Sequence, residues 1–326
     1  MPSENVLICG GAGYIGSALV FRLLKDTDFN VIVFDNLMYG GDSLFPFFNF
    51  KERFRFIKGD LRTFDLDTLL KGIDYVVNLA ALVGEPLCKK YPVDAQQINF
   101  DANIKLARTA GKKKINRYIF TSTCSNYGLS KSEEFIREDG LLQPLSLYAE
   151  TKVNSEKILL NELFDLPVIV LRFATAYGLA SRIRFDLLLH QFIKEAWKNK
   201  LIKIFGPESW RPMVHVDDIA RSVTLMLAES NSIKLKDVYN VGSNDQNFQK
   251  INLAKMVADR FDVNIEKIET VTDPRSYKVS FNKIHNELNY QTLSRPQETI
   301  NQIASSLESG LIDDKILYES VNIKNK

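Results

Sequence analysis

The stretch Gly10-Gly11-Ala12-Gly13-Tyr14-Ile15-Gly16 constrains this chain more than any other, because it joins an apolar run, Val6-Leu7-Ile8-Cys9, to a helix-period segment at Tyr14–Lys25. Its glycines satisfy GxGxxG counted from Gly11 and GxxGxxG counted from Gly10. So tight a strand-to-helix turn asks for residues without a Cβ, and the helix it opens presents free N–H groups and a partial positive charge. A pyrophosphate fits such a place. Glycine-rich turns are common, so the pattern needs its context, and the context is present. Asp35 lies 19 residues beyond Gly16, at the end of a second apolar run, where a carboxylate can accept both hydroxyls of a ribose. A carboxylate there repels a 2′-phosphate, and the next residue is Asn36 rather than a basic one, so NAD is favoured over NADP. Gly10, Gly13, Tyr14, Ile15, Gly16, Asp35 and Asn36 are the first candidates for holding that cofactor.

The first half of the chain alternates short apolar runs with helix-period segments. Strands are expected at Asn5–Cys9, Val31–Phe34, Phe54–Lys58, Tyr75–Leu79, Tyr118–Thr121 and Val168–Arg172. Helices are expected near Tyr14–Lys25, Asp65–Leu70, Ala95–Ala110 and Tyr148–Leu163. Such alternation makes βαβ units with right-handed crossovers and a parallel sheet, which is a doubly wound α/β fold. Regularity fades after Gly178. There a helix is expected around Asp186–Lys198, a Pro- and Trp-bearing stretch at Gly206–Pro212, a helix at Asp217–Ser230, a buried strand at Val238–Val241 and a helix at Leu253–Phe261. Residues 1–175 therefore read as an NAD-binding domain to which segments around 213–242 return, and 176–326 mainly as a smaller, irregular lobe. No repeat, low-complexity tract or linker is evident. The run Phe45-Pro46-Phe47-Phe48-Asn49-Phe50 reads as packing over the sheet edge, with cofactor shielding or a subunit contact as the functional alternative.

Composition excludes several classes. A net charge of +2 over 326 residues gives no strong electrostatic case for nucleic acid or an anionic membrane, and leaves room for a local basic pocket that holds phosphate. Lys112-Lys113-Lys114 reads as a solvated helix end. Cys9, Cys88 and Cys124 have neither CxxC spacing nor disulfide density, and with three scattered histidines no metal site is expected. No run of about 20 apolar residues suggests a membrane span, and no signal-peptide pattern precedes the first strand, so a reducing cytoplasm is the expected compartment.

Tyr148-Ala149-Glu150-Thr151-Lys152 puts a phenol and an ammonium at i and i+4 on one helix face. A free tyrosine titrates near 10, too high for a base at neutral pH. A neighbouring ammonium, helped by the positive nicotinamide of oxidised NAD, favours the phenolate, which can take a proton from a substrate hydroxyl while hydride leaves. The spacing alone is common by chance on an exposed helix; the glycine turn upstream gives it meaning. Thr121-Ser122-Thr123 ends the fifth expected strand, at the carboxyl edge where such sheets bind ligands. Hydroxyls there often only satisfy backbone groups; the position favours Thr123 as a donor to the same substrate oxygen.

With these motifs in hand, the chain resembles the extended short-chain dehydrogenases/reductases, the NAD-dependent nucleotide-sugar epimerases and dehydratases. The resemblance runs through the glycine turn, Asp35, Gly59-Asp60-Leu61, Asn78-Leu79-Ala80-Ala81, Phe120–Gly128, Tyr148–Lys152, Arg172–Gly178, Trp210–Asp218 and Asp273-Pro274-Arg275. It implies NAD in the N-terminal lobe, a nucleoside-diphosphate sugar in the C-terminal lobe, and a homodimer paired through helices near Ala95–Ala110 and Tyr148–Leu163. Asp60 and Leu61 would then sit at the adenine, and Leu79, Ala80, Ala81 and Asn99 along the cofactor. Thr123, Tyr148 and Lys152 would meet at the reacting carbon, Lys152 also holding the nicotinamide ribose. Arg211 and Arg275 would grip the diphosphate. Arg182 and Arg184 are further substrate candidates, with solvated surface charge as the alternative. Thr175 stands where the family often has a substrate-contacting Asn. Family dehydratases carry Asp-Glu directly after the Thr; this chain has Cys124-Ser125, so elimination loses its acid and base. Ala80–Cys88 together with Arg182–Leu188 is similar to a subgroup that includes GDP-heptose 4-dehydrogenases. The resulting expectation is oxidation at C4 of a nucleoside-diphosphate sugar, as a 4-epimerase or 4-dehydrogenase of surface-polysaccharide biosynthesis. Its rivals are a keto-sugar reductase and a non-catalytic NAD-sensing module.

Overall fold

The computed structural model describes residues 4–130, 134–163, 165–228, 234–268, 275–313, 315–316 and 323. Asp273 and Pro274, and the last two residues of the helix expected to reach Ser230, lie outside them. Among the described residues the strands are β1 Asn5–Cys9, β2 Asn30–Asp35, β3 Phe54–Lys58, β4 Tyr75–Asn78, β5 Arg117–Thr123, β6 Val168–Phe173, β7 Thr175–Tyr177, β8 Leu201–Phe205, β9 Trp210–His215, β10 Lys236–Val241, β11 Asn247–Gln249 and β12 Asn264–Ile268. Helices in the first half are α1 Tyr14–Asp26, α2 Leu66–Leu69, α3 Glu85–Lys90, α4 Pro92–Gln96, α5 Asn103–Lys112 and α6 Leu147–Asn161. In the second half they are α7 Leu188–Asn199, α8 Val216–Ala228, α9 Lys250–Phe261, α10 Asn282–Leu288 and α11 Pro296–Glu308.

Seven strands form one parallel sheet in the order β10-β6-β5-β4-β1-β2-β3. The central strands β1, β4 and β6 are buried at nearly every position, as a sheet covered on both faces requires. On one face α1 and α8 bury Leu19, Val20, Leu23, Ile219, Val223 and Met226 over Val6, Ile8 and Val33. On the other, α2 and α5 bury Leu66, Leu69, Leu106 and Ala107 over Leu7, Val76 and Phe120. The doubly wound α/β class thus stands. Of the stretch expected to return to the first lobe, α8 packs on α1 and β10 pairs with β6, while β9 belongs to a separate three-stranded sheet, β11-β9-β7.

The remaining second-lobe elements gather around another core of α7, α9 and α11, with Leu189, Phe192, Leu253, Val257, Ile300 and Ile303. The expected helix Ala95–Ala110 is three pieces: α4, a widened π-turn at Gln97–Ala102, and α5. The Phe45–Phe50 run lies in a 3-10 helix, Asp42–Phe50, whose Phe47 is buried against Phe54 while Phe45 and Phe48 face outward. Ser43, on the same turn, donates to the Ala12 carbonyl at 2.8 Å and so ties this segment to the glycine turn.

Candidate active site

β1 and β4 lie side by side at the centre of the sheet, and the helices that follow them cover opposite faces, so a crevice opens at their carboxyl ends. The cleft there measures about 390 Å³. Gly10, Gly13, Tyr14, Ile15 and Gly16 form its floor. At Gly10, φ is 84°, and a Cβ would stand 2.8 Å from the Ala80 nitrogen. At Gly16 a Cβ would stand 2.2 Å from the Gly10 carbonyl oxygen. The turn can therefore be this tight only without side chains. Gly13 is the N-cap of α1 and offers no side-chain acceptor, so the leading N–H groups of the helix are left for a ligand.

Asp35 ends β2 at the cleft wall. One carboxylate oxygen accepts from the Ala12 N–H at 3.0 Å and the other from the Leu37 N–H at 2.8 Å. An ionised carboxylate has about four acceptor sites, so this one keeps capacity for ribose hydroxyls. Burial raises its pKa against those two bonds and the nearby Arg182 charge. Asn36, Asp60, Leu61, Leu79, Ala80 and Ala81 continue the wall. Asp60 pairs with Arg62 at 2.8 Å, and that hydrogen bond holds its pKa below the ordinary carboxylate value. The small backbone-lined floor, uncapped helix start and acidic β2 terminus are together the shape and donor set a dinucleotide requires.

α6 begins at Leu147, with the Ser146 hydroxyl accepting from the Ala149 N–H at 3.3 Å. Its i, i+4 spacing brings Tyr148 and Lys152 into the same cleft. The Lys152 ammonium donates to the Thr121 carbonyl at 2.7 Å and lies 5.9 Å from the centre of the Tyr148 ring. Burial lowers the Lys152 pKa to about 8. Burial likewise pushes the Tyr148 phenol up, with Arg184 opposing. A neighbouring cation beyond Lys152 is therefore needed before the phenolate forms near neutrality.

Thr123 stands just past the cleft wall that Thr121 and Ser122 supply. Its hydroxyl accepts from the Ser125 N–H at 3.1 Å and lies 2.9 Å from the Ser125 hydroxyl, capping the 3-10 turn Cys124–Tyr127. Cys124 is buried with its thiol donating to the Arg172 carbonyl, and burial pushes its pKa far up.

A segment of the second lobe crosses the cleft. Tyr14 donates to the Gly178 carbonyl at 2.7 Å, the Gly178 N–H donates to His190 Nε2 at 3.0 Å, and His190 Nδ1 lies 2.6 Å from the Arg184 carbonyl. With Nε2 accepting, the proton sits on Nδ1; burial lowers this imidazole to about 4, so it is neutral. Arg182 stacks 4.2 Å from the Tyr39 ring centre, and Arg184 pairs with Asp186 at 2.5 Å. These two arginines line the cleft rather than a solvated face.

Other expected contacts sit elsewhere. Asn99 is buried on the π-turn, and its amide clamps Leu82 through both the N–H at 2.7 Å and the carbonyl at 3.0 Å, shaping the wall from behind. Thr175 is half-buried on β7 outside this cleft. Arg211 is buried and donates to the carbonyls of Trp210 and Arg275, while Arg275 lies 4.0 Å from Glu85; neither borders the dinucleotide cleft. Sequence reasoning counted neither Tyr39 nor Asp186 among the site residues; both reach the cleft from segments outside the regular elements. Among the described residues no cluster of His, Cys, Asp or Glu could hold a metal ion, and no helix is long and apolar enough to cross a membrane.

Known proteins are similar to this chain in sequence and fold. The pattern of the NAD dependent epimerase/dehydratase family matches residues 6–242. An uncharacterized UDP-glucose epimerase of Bacillus subtilis (strain 168), YtcB, is 33% identical over 240 residues, 70% of this chain and 74% of its own. The UDP-glucuronic acid 4-epimerase of Bacillus cereus, solved with UDP-glucuronic acid and NAD, superposes with a TM-score of 0.83 at 24% identity, over 94% of this chain and 99% of that one, which speaks for the fold. MoeE5, solved in complex with UDP-glucuronic acid and NAD, gives 0.80 at 26% identity, over 94% of this chain and all of that one (100%).

Proposed function

The chain belongs to the NAD-dependent epimerase/dehydratase family of nucleotide-sugar enzymes, and we propose that it oxidises C4 of a nucleoside-diphosphate sugar and returns the hydride to the opposite face, as a 4-epimerase. The observation that carries this reading is the convergence of Tyr148 and Lys152 with the glycine turn and Asp35 on one cleft. Gly10 to Gly16 would hold the pyrophosphate of NAD, Asp35 the adenosine ribose, and Lys152 the nicotinamide ribose. When bound, NAD supplies the hydride acceptor and a positive ring beside the phenol.

Tyr148 then takes the C4 hydroxyl proton, with Lys152 and that added charge countering the upward push of burial. Thr123 orients the same hydroxyl, for which it exchanges its bond with the Ser125 hydroxyl. Arg182 and Arg184, which line the cleft, would meet charge on the substrate.

Inversion is favoured over elimination because the two positions after Thr123 hold a buried thiol and a hydroxyl bonded back to Thr123, so neither serves as acid or base. It is favoured over release of a ketone because the cleft is bridged by the Tyr14–Gly178 bond and the Arg182–Tyr39 stack, which suits a cofactor kept through both half-reactions. The protein is incubated with UDP-, GDP- and dTDP-sugars without added NAD. A 4-epimer in excess over enzyme supports inversion; a ketone equal to the enzyme, with NADH trapped, makes the protein a 4-dehydrogenase. Tyr148→Phe is expected to lose roughly 10²–10⁴-fold in turnover, and unchanged turnover sinks the mechanism.

A further inference from the structure

Behind the cleft lies an ion pair that the proposed reaction does not use. Glu156 follows Lys152 by four residues, as Lys152 follows Tyr148, so all three share one face of α6. Glu156 is 2% exposed and Arg172, on β6, 4%. Arg172 Nη2 reaches Glu156 at 2.6 Å, and its Nε lies 3.1 Å from the same carboxylate oxygen. Its Nη1 donates to the Tyr127 hydroxyl and the Glu138 carbonyl, both at 2.9 Å. Glu156 also accepts from the Ser122 hydroxyl and from the Asn126 amide at 2.8 Å. Tyr127 in turn donates to Asn240 on β10 at 2.8 Å. Ser122 and the 3-10 turn flank Thr123 on both sides. One buried pair therefore fixes the strand end carrying Thr123 against the helix carrying Tyr148 and Lys152.

We propose that the Glu156–Arg172 pair is the positioning element of this site, setting the Thr123 turn against α6 and supplying the carboxylate charge that Lys152 faces along its own helix. The proposal rests on the reading of Lys152 as the cation that tunes Tyr148.

Two arguments support it. A buried ion pair is seldom a net source of stability, because desolvating both ions costs several kcal/mol each, and apolar replacements are often no worse. Its contribution here is thus geometry and charge. Moreover, Lys152 is desolvated, and Glu156 works against that burial to keep it protonated. The other groups facing Lys152 do not substitute for Glu156. Before the cofactor binds, Tyr148 on the same helix and Cys88 from α3 are both pushed up by burial, Cys88 to about 11, and are neutral at pH 7. β5 offers the Thr121 carbonyl and the Phe120 ring, 4.7 Å away. Across the cleft Asp186 is engaged by Arg184, and Arg182 adds positive charge.

The test compares pH profiles of kcat and KM for the full chain, Glu156→Gln, Glu156→Asp and the double variant Glu156→Leu/Arg172→Met, which removes both charges and avoids an orphaned guanidinium. Lys152 is needed protonated, so its deprotonation forms the alkaline limb. In Glu156→Gln and the double variant that limb moves to lower pH, with kcat at pH 8 reduced roughly tenfold and KM within about twofold. Glu156→Asp keeps the limb nearer its original place. A folded double variant, judged by its thermal midpoint, with the parent profile overturns the proposal, and so does a loss equal at every pH. Lys152→Met in the same assay separates the two levels. If it keeps full turnover, the catalytic reading itself has failed; if it is inactive while the Glu156 variants show no shift, only the positioning role has.

Discussion

Gly16 shows how much one atom decides here. An added Cβ would meet the Gly10 carbonyl at 2.2 Å and the Gly11 Cα at 2.7 Å, both backbone atoms that cannot rotate away. Gly16→Ala is therefore expected to cost about 1–3 kcal/mol in stability and to widen the turn under the pyrophosphate. Calorimetric titration with NAD checks this: an affinity within twofold of the parent refutes it. The convergence of the same glycines with Asp35, Tyr148 and Lys152 on one cleft was legible in the sequence, because each is marked by a residue type at a fixed spacing. Thr123 is expected from its place at a strand end; it stands outside the cleft lining, and its hydroxyl is occupied by a local cap that no spacing rule anticipates. Glu156 was findable: an acid at the next i+4 step beyond Lys152 lies on the same face. Tyr39 and Asp186 carried no such mark, since their place in the cleft depends on how two lobes meet.

At the level of elements, periodicity located the long pieces and missed the short ones. β1 and β3 fall where the apolar runs put them, and α1 and α6 start and end within a few residues of expectation. β7 and β11, three residues each, are too short to show alternation, and the π-turn inside the expected Ala95–Ala110 helix has no sequence signature. The segment 178–190 gains its order from His190, which joins Gly178 to Arg184. Its imidazole titrates at about 4 in the folded chain against 6.5 when exposed, so the unfolded chain takes up the proton first as pH falls. This contribution is whole above about pH 6.5 and is lost towards pH 4, on the order of 3 kcal/mol in full. Urea unfolding of the parent is expected to show falling stability across that window, with a shallower slope in His190→Asn. Equal slopes would count against the assignment.

Across the whole molecule, the sheet is assembled from distant parts of the chain. Its first six strands lie within residues 5–173, but the seventh, β10, arrives only after β7, α7, β8, β9 and α8 have been made. A chain ended at residue 235 keeps the glycine turn, Asp35, Tyr148 and Lys152, yet loses the strand that pairs β6 along six residues. It is expected to accumulate as aggregate, since a hydrophobic parallel edge is left open. A soluble fraction equal to that of the full chain would refute this. The late arrival of β10 also gives the protein a history on the ribosome. Between Phe173 and Lys236 lie 62 residues, which take roughly 3–12 s to translate at typical rates. For those seconds β6 is the rim of an unfinished sheet, and any strand that reaches it first, including one from a neighbouring nascent chain, competes with β10 for the place.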